Sequence, residues 1–319
     1  MQKTLIRLLV AASVCAAVGG GMRAGAEDLK LAVIPKGTTH VFWKSVEAGA
    51  KAAGKELGVE VIWKGPLKEN DRAQQIQIVE QFVSEGVSGI VLAPLDDTAL
   101  QRPVAAAMQK KIPVVIFDSA LKGEAGKDFA SFVATDNKKG GQIVGDQLVK
   151  LLDGKGKIVL LRYQVGSAST EQREAGFLEV IHQHPDIQVL VDNRYGGATV
   201  GESKTAAMNL LDKLKEADGV FCPNESSTFG MLLALRQSNL AGKIKFVGFD
   251  ATPLLVEALQ KNEIEALVAQ DPVRMGYEGV KTMVTHLHGQ SVPGYVDTGC
   301  RLITRENLTE PEIKKLIGQ

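Results

Sequence analysis

Polar side chains follow directly on short apolar runs at five places in the chain. Such runs are typical of buried strands, and parallel strands place their carboxyl ends on one edge of a sheet, where open α/β sheets bind ligands. If two sheets face each other by that edge, the polar groups converge on one cleft and can hydrogen-bond a ligand's hydroxyls. Asp97 could instead only cap the helix that follows, whereas Thr252 before Pro253 is a ready N-cap and leaves Asp250 without that role. The polar residues are Asp96-Asp97, Asp118, Asn224-Glu225, Asp250 and Gln270.

An aromatic pair stands at another junction of this kind. The stretch Leu29–Leu57 predicts a strand, a polar loop and a helix, with Phe42 and Trp43 at the start of the helix. A flat aromatic face with His40 beside it suits a sugar ring, which is apolar on one face and polar at its rim. Alternatively, both aromatic residues only pack the helix against the core. Trp63, inside the next predicted strand, is interpreted as a packing residue.

Arg173 adds a cation to this set. It lies one turn before Phe177 on a helix predicted over Thr170–His182. The planar guanidinium can hold two hydroxyls, or a ring oxygen, at once. The alternative is a solvated charge on the helix surface.

No enzyme motif accompanies these residues. The sequence has no Gly-x-Ser-x-Gly, no His-Glu-x-x-His and no phosphate-binding loop. The pairs His182/His184 and His286/His288 are two residues apart on predicted helices, so neither pair can share a metal on one face. Two carboxylates could serve an exported sugar-processing enzyme. Five polar strand ends favour a cage for hydroxyls instead, with no metal and no cofactor.

Strands and helices alternate along the chain with short connections, which predicts parallel sheets covered by helices on both faces. About a dozen strands are too many for one open sheet, so we expect two lobes. No low-complexity linker separates them, and we predict direct crossings at about Val133–Asp136 and near Gln270–Pro272. The later predicted elements include a strand over Ile187–Val191, a helix over Val200–Lys215 and a last strand over Gly299–Ile303.

The composition is that of an ordinary globular protein. The 319 residues include 37 basic and 37 acidic side chains, and 45% of all residues are hydrophobic. This length suits two domains. The balanced charge argues against a nucleic-acid partner, which would require a basic face.

The first 26 residues are predicted to be a signal peptide. Lys3 and Arg7 precede the apolar run Leu8–Val18, and Ala24-Gly25-Ala26 supplies a small-x-small cleavage pattern. The alternative is a lipoprotein acylated at Cys15, although Ala12-Ser13-Val14 is a poor lipobox. In either case we expect an exported chain, because no later stretch is long and apolar enough to cross a membrane.

Cys222 and Cys300 remain after the predicted cleavage. Their spacing is not that of metal ligands. An oxidising compartment would allow them to pair. They are far apart in sequence, and we interpret them as two buried thiols.

Eight segments of the sequence carry a family resemblance that spans nearly the whole mature chain. The chain resembles the periplasmic sugar-binding proteins of ABC importers, of the ribose/galactose-binding type. This resemblance implies two similar α/β lobes joined by three hinge crossings, with a ligand cleft between them: residues 27–133 plus 272–296, and residues 134–271 plus 297–319. The segments are VFWKSVEAGAK, GIVLAPLDDTAL, IPVVIFDS, FVATDN, STEQREAGF, FCPNES, FVGFDATP and LVAQDPVRMG.

The resemblance also implies roles for single residues, with two departures. His40 stands where ribose binders usually have asparagine, and Ser119 stands where they have a second arginine. Losing charge-assisted hydrogen bonds of this kind costs about 1.5–3 kcal/mol, so ribose itself is not transferred from the resemblance, and a different pentose or hexose, or a related polar molecule, fits as well. Asp136 and Asn137 fall at the first hinge crossing. The implied ligand-binding residues are His40, Phe42, Trp43, Asp118, Arg173, Asn224, Asp250 and Gln270.

The function implied by the resemblance is that of a monomeric periplasmic receptor. It would close on a monosaccharide or similar polar solute and deliver it to an ABC permease in the inner membrane. A receptor that signals to a chemoreceptor or sensor kinase fits the same residues and stays open. Transcription repressors share the fold, but here an export signal stands where their DNA-binding segment would be.

Overall fold

The computed structural model describes residues 29–318. The predicted signal peptide and Cys15 lie outside the described residues. Within residues 29–318, no helix combines the length and apolar character that a membrane span requires.

Twelve strands and eleven helices make up the described part of the chain. The first run of elements is β1 (Lys30–Ile34), α1 (Val41–Leu57), β2 (Glu60–Trp63), α2 (Arg72–Glu85), β3 (Gly89–Leu92), α3 (Gln101–Gln109), β4 (Val114–Phe117) and β5 (Ser131–Ala134). The second run is α4 (Asn137–Leu151), β6 (Gly156–Arg162), α5 (Ala168–Ile181), β7 (Ile187–Tyr195), α6 (Val200–Met208), α7 (Leu211–Glu216), β8 (Gly219–Cys222), α8 (Glu225–Gln237), β9 (Lys245–Phe249), α9 (Pro253–Gln260) and β10 (Ala266–Gln270). The last run is α10 (Pro272–Leu287), β11 (Tyr295–Asp297), β12 (Cys300–Ile303) and α11 (Pro311–Leu316).

The strands form two six-stranded sheets with the same connectivity. Their orders are β2-β1-β3-β4-β5-β11 and β7-β6-β8-β9-β10-β12. All pairings between these strands are parallel except that of β12 with β10. Each sheet has a buried apolar cluster on each face, formed with the helices that cover it. The predicted fold class, two α/β lobes with mostly parallel sheets, is therefore confirmed.

The chain passes between the two sheets three times. It leaves the first sheet between β5 and α4, returns between β10 and α10, and leaves again between β11 and β12. The first two passages lie where the sequence predicts crossings. Because every crossing follows the carboxyl end of a strand, the hinge lies beside the edge at which the two sheets face each other.

Helix α1 forms because its apolar residues recur on one face and bury against the first sheet. Trp43, Val46, Ala50 and Ala53 are all buried. The helix ends at Gly58, whose φ of 70° is the left-handed conformation that glycine adopts at least cost. This burial fixes the position of the first turn of α1, and therefore of Phe42 and Trp43.

Some elements differ from the sequence prediction. The structure divides the helix predicted over Val200–Lys215 into α6 and α7, with a break at Asn209-Leu210. Strand β7 extends four residues beyond its predicted end at Val191. The sequence pattern missed β11 and α11, because each is too short to show a period.

Candidate functional site

One cavity lies between the two lobes and is lined by residues of both. All eight residues predicted as ligand-binding line it. Six residues outside that set of eight also line the cavity: Lys36, Glu69, Tyr163, Ser169, Thr170 and Glu225.

Asp118 and Asp250 occupy equivalent positions in the two lobes. Asp118 follows β4 and donates its backbone N–H to the carbonyl of Val133, while Asp250 follows β9 and donates to the carbonyl of Val268. Both have positive φ, 60° and 70°, which is uncommon for residues other than glycine. Both are almost fully buried. The same strand-end geometry thus places one carboxylate on each side of the cavity.

Lys36 supplies a cation beside Asp118, where Ser119 stands in place of the second arginine of the ribose binders. Its Nζ lies 3.2 Å from a carboxylate oxygen of Asp118. It also donates to Ser169 Oγ at 2.9 Å and to Ser167 Oγ at 3.3 Å, both in the second lobe. Only 3% of Lys36 is exposed. The ammonium therefore holds Asp118 in place and contacts the opposite lobe.

Asp250 is held by two donors. The amide of Gln270 donates to Oδ1 at 2.8 Å, and the backbone N–H of Glu225 donates to Oδ2 at 2.7 Å. Burial raises the pKa of Asp250, and the nearby Arg173 guanidinium acts in the opposite direction. Hydroxyl donors from a ligand would stabilise this carboxylate further.

Arg173 is fixed beside the cavity by three contacts. Its Nε donates to Asn137 Oδ1 at 2.9 Å and its Nη1 donates to the carbonyl of Pro223 at 2.9 Å. Its guanidinium stacks over the Phe249 ring, 3.9 Å from the ring centroid. Among the described residues Nη2 has no hydrogen-bond partner, so this nitrogen can donate to a ligand.

Glu69 joins three groups at the other end of the cavity. Its Oε1 lies 2.6 Å from His40 Nδ1 and accepts from Trp43 Nε1 at 2.7 Å, and its Oε2 accepts from the Tyr163 hydroxyl at 2.9 Å. Burial alone would lower the pKa of His40, but the Glu69 carboxylate raises it to about 9. Burial alone would raise the pKa of Glu69, but His40 lowers it to about 2. Both groups are thus charged at neutral pH.

The two aromatic residues of α1 differ in burial. Trp43 is 2% exposed and packs edge-on against Phe117 and Phe42. Phe42 is only partly buried and lines the cavity. Trp43 therefore belongs to the core as well as to the cavity wall, while Phe42 presents more of its ring. Trp63, half-buried, packs in the same apolar cluster as Trp43.

The predicted hinge residues lie at the first crossing. Asp136 caps α4 by accepting from the backbone N–H of Lys139, and its own N–H donates to Asp297 near the third crossing. Asn137 contacts Arg173 and lies 3.5 Å from the carbonyl of Asp118. One residue of the hinge segment is thus within reach of polar groups in both lobes.

The structure differs from the sequence interpretation at two places, the Asp96-Asp97 pair and Cys300. Asp96 and Asp97 lie at the rim, where they pair with Arg72 and Lys122, and they do not line the cavity. Cys222 and Cys300 are both free thiols in the described part of the chain, and only Cys222 is fully buried. The interpretation of Cys300 as a buried thiol is therefore wrong.

The residues that sequence reasoning missed differ in the signal they carry. Lys36 and Tyr163 also follow strands, β1 and β6, so the strand-end pattern could have found them. Glu69 lies in a charged loop before α2, and nothing in its neighbourhood distinguishes it from a solvated side chain. Its role depends on contacts with both lobes.

A family model described as "Periplasmic binding protein domain" matches residues 31–291. The chain belongs to the periplasmic binding protein family. The family resemblance predicted from the sequence is thereby confirmed, together with its two-lobe fold.

Relatives within this family are similar over almost their whole length. A D-ribose/D-allose-binding protein of Pseudomonas aeruginosa is 28% identical, over 95% of this chain and 99% of its own. A solved solute-binding protein of an ABC transporter from Agrobacterium vitis, with bound D-fucose, has a TM-score of 0.87 and 33% identity, over 90% of this chain and 99% of its own. A carbohydrate transporter solute-binding protein from Agrobacterium radiobacter, in complex with D-arabinose, has a TM-score of 0.86 and 34% identity, over 92% and 99%.

Proposed function

We propose that this protein is a periplasmic receptor that binds a neutral monosaccharide, a pentose or a hexose, between its two lobes. The observation that carries the proposal is the pair of equivalent buried carboxylates, Asp118 and Asp250, on opposite sides of one cavity. A sugar hydroxyl both donates and accepts. The O–H group can donate to either carboxylate, and the hydroxyl oxygen can accept from the Arg173 guanidinium.

The charge arrangement supports a neutral ligand. The two cations that the first lobe contributes to the cavity are already in contact with carboxylates, Lys36 with Asp118 and His40 with Glu69. The cavity also contains Asp250 and Glu225. Carboxylates therefore outnumber cations, and an anionic sugar would meet net repulsion.

The mode of action we propose is closure of the two lobes on the sugar and delivery to an ABC permease, with the protein acting as an exported monomer. The proposed lobes are residues 27–133 plus 272–296, and residues 134–271 plus 297–319, with Asp136 and Asn137 in the hinge. The relatives' names and bound sugars support binding and transport rather than catalysis.

A thermal-shift assay tests this function. The mature chain, refolded to remove any carried ligand, is heated with D-ribose, D-allose, D-arabinose or D-fucose, and with D-glucuronate as an anionic control. A ligand at a hundred times its Kd adds about 2.7 kcal/mol of stability, seen as an upward shift of roughly a few degrees. A flat panel with a folded protein, or a larger shift with glucuronate than with every neutral sugar, would contradict the proposal.

The variant Asp250→Asn tests the site with the sugar that gives the largest shift. We expect at least about tenfold weaker binding by titration calorimetry, because a charge-assisted acceptor is lost. Asp97→Asn is the matched control, since Asp97 also follows a strand but lies outside the cavity. Equal affinities for both variants would reject the site assignment.

A further inference from the structure

Helix α1 begins without a cap from its own lobe. His40 is its N-cap residue, but the imidazole makes no capping hydrogen bond, because Nδ1 is directed to Glu69. The first turn contains no acidic residue. The first N–H groups of a helix have no partner within it and need an acceptor from elsewhere. By contrast, α2, α4 and α10 are capped locally by aspartates.

Glu225 of the opposite lobe supplies the missing acceptor. The backbone N–H of Val41 donates to Oε1 at 3.0 Å, and the backbone N–H of Phe42 donates to Oε2 at 2.8 Å. Glu225 does not cap its own helix, because Asn224 caps α8 by accepting from the N–H of Ser227. Its own N–H donates to Asp250. The carboxylate is thus anchored beside one wall of the cavity and bonded to the other.

We infer that Glu225 is an interlobe cap, a residue that caps α1 from the second lobe and stabilises the closed arrangement by itself. Each carboxylate oxygen accepts from one N–H group of α1, so Glu225 links the two lobes directly. The negative charge lies at the positive end of the helix dipole. These bonds exist only while the lobes are together, because their two partners belong to different lobes.

The effect of the interlobe cap on ligand affinity rests on the proposed function, whereas the cap itself rests only on the hydrogen bonds of Glu225. A ligand that binds the closed form has an apparent affinity proportional to the closed fraction. An interlobe cap raises that fraction before any sugar arrives. The test therefore measures closure without added ligand.

Val41→Pro removes one of the two donors without altering the cavity. Val41 is the first residue of α1, the helical position where proline is tolerated, and proline has no N–H. His40 has φ −73° and ψ 147°, which a residue before proline adopts readily. The Val41 side chain is 42% exposed and does not line the cavity. Val41→Ala, which keeps the N–H, is the matched control.

Paramagnetic relaxation enhancement measures the closed fraction, including minor populations. A nitroxide is attached at Val165→Cys in a Cys300→Ser background, because Val165 is exposed at the tip of a loop whose backbone contacts Arg72 of α2 across the cleft. The amide signals of α2 report closure in protein without added sugar. We expect the closed fraction of Val41→Pro to be about tenfold lower than that of Val41→Ala. Equal relaxation enhancement in Val41→Pro and Val41→Ala would overturn the inference, and so would the absence of enhancement in both.

Glu225→Gln provides a second, independent arm. We expect it to lower the closed fraction as well, and to lower it less in the Val41→Pro background, because the two substitutions remove the same interaction. Fully additive effects would show that Glu225 acts elsewhere and would overturn the inference. A flat sugar panel with a reduced closed fraction would refute the proposed function alone, and sugar binding with unchanged closure would refute the interlobe cap alone.

Discussion

Lys36 shows how one residue can replace another from a different part of the chain. The family pattern places a second arginine directly after the aspartate that corresponds to Asp118, whereas this chain has Ser119. The cation comes instead from the loop after β1, where the ammonium pairs with Asp118 and donates to two serine hydroxyls of the second lobe. We therefore expect Lys36 to orient Asp118 and to join the two lobes.

Lys36→Met should weaken sugar binding by at least about tenfold, because it leaves the buried carboxylate of Asp118 without its cation. Titration calorimetry with the sugar found in the thermal-shift panel measures this. Lys30→Met is the matched control, because Lys30 begins the strand that leads to Lys36 and pairs with Glu60 in solvent, where an ion pair contributes little. An unchanged affinity for Lys36→Met would contradict the role given to Lys36.

Sequence reasoning predicted the cavity-lining residues well because the strand-end pattern is local. Asp118, Asn224 and Asp250 each follow a strand and Gln270 is the last residue of one, and the fold brings those strand ends together. Glu69 could not be predicted, since its partners come from α1 and from the second lobe. The burial that makes it important is set by the tertiary structure.

At the scale of the elements, the two lobes repeat the same close helix packing. Helices α1 and α10 meet through Gly49 and Gly276 in the first lobe, and α4 and α5 meet through Gly141 and Gly176 in the second. At each of these glycines an added Cβ would overlap a backbone carbonyl of the other helix. Because these helices carry Phe42 and Arg173, the packing sets where those side chains stand.

Gly141→Ala should destabilise the protein by about 1–3 kcal/mol, because the new methyl group would overlap the carbonyl of Arg173 on α5. Gly201→Ala is the matched control: this helical glycine of α6 has no atom within 4 Å of an added Cβ, so the change should be neutral or slightly stabilising. Urea unfolding of both variants measures the difference. Equal stabilities would contradict the proposed tight contact of α4 with α5.

At the scale of the whole molecule, the sequence predicted two lobes but not how they meet. The alternation of strands and helices determines the sheets, and the crossings follow from strands that end without a linker. The contacts across the cleft come from loops and from the first turns of helices, where no periodic pattern marks them. Two such contacts lie at the rim, where Arg72 donates to the carbonyl of Val165 and the N–H of Asp97 donates to the carbonyl of Gly166.

Gly166 is the rim residue at which closure can be tested without touching the cavity. A Cβ added there would overlap a carboxylate oxygen of Asp96 in the opposite lobe. That carboxylate cannot move aside freely, because it accepts from the N–H groups of Thr98 and Ala99 and pairs with Arg72. We expect Gly166→Ala to fold and to bind sugar about tenfold more weakly, the loss of roughly one charge-assisted contact in the closed form.

The control for this variant is Gly126→Ala. Gly126 has φ 85° and Gly166 has φ 86°, so alanine is strained by a positive φ at both positions, but nothing lies within 4 Å of an added Cβ at Gly126. Both variants should therefore lose similar stability on heating. Only Gly166→Ala should lose affinity for sugar. With saturating sugar, only Gly166→Ala should show a larger radius of gyration by small-angle scattering. If the two variants bound sugar equally well, the rim contacts at Gly166 would have no part in closure, and the closed arrangement would depend on the cavity and the interlobe cap alone.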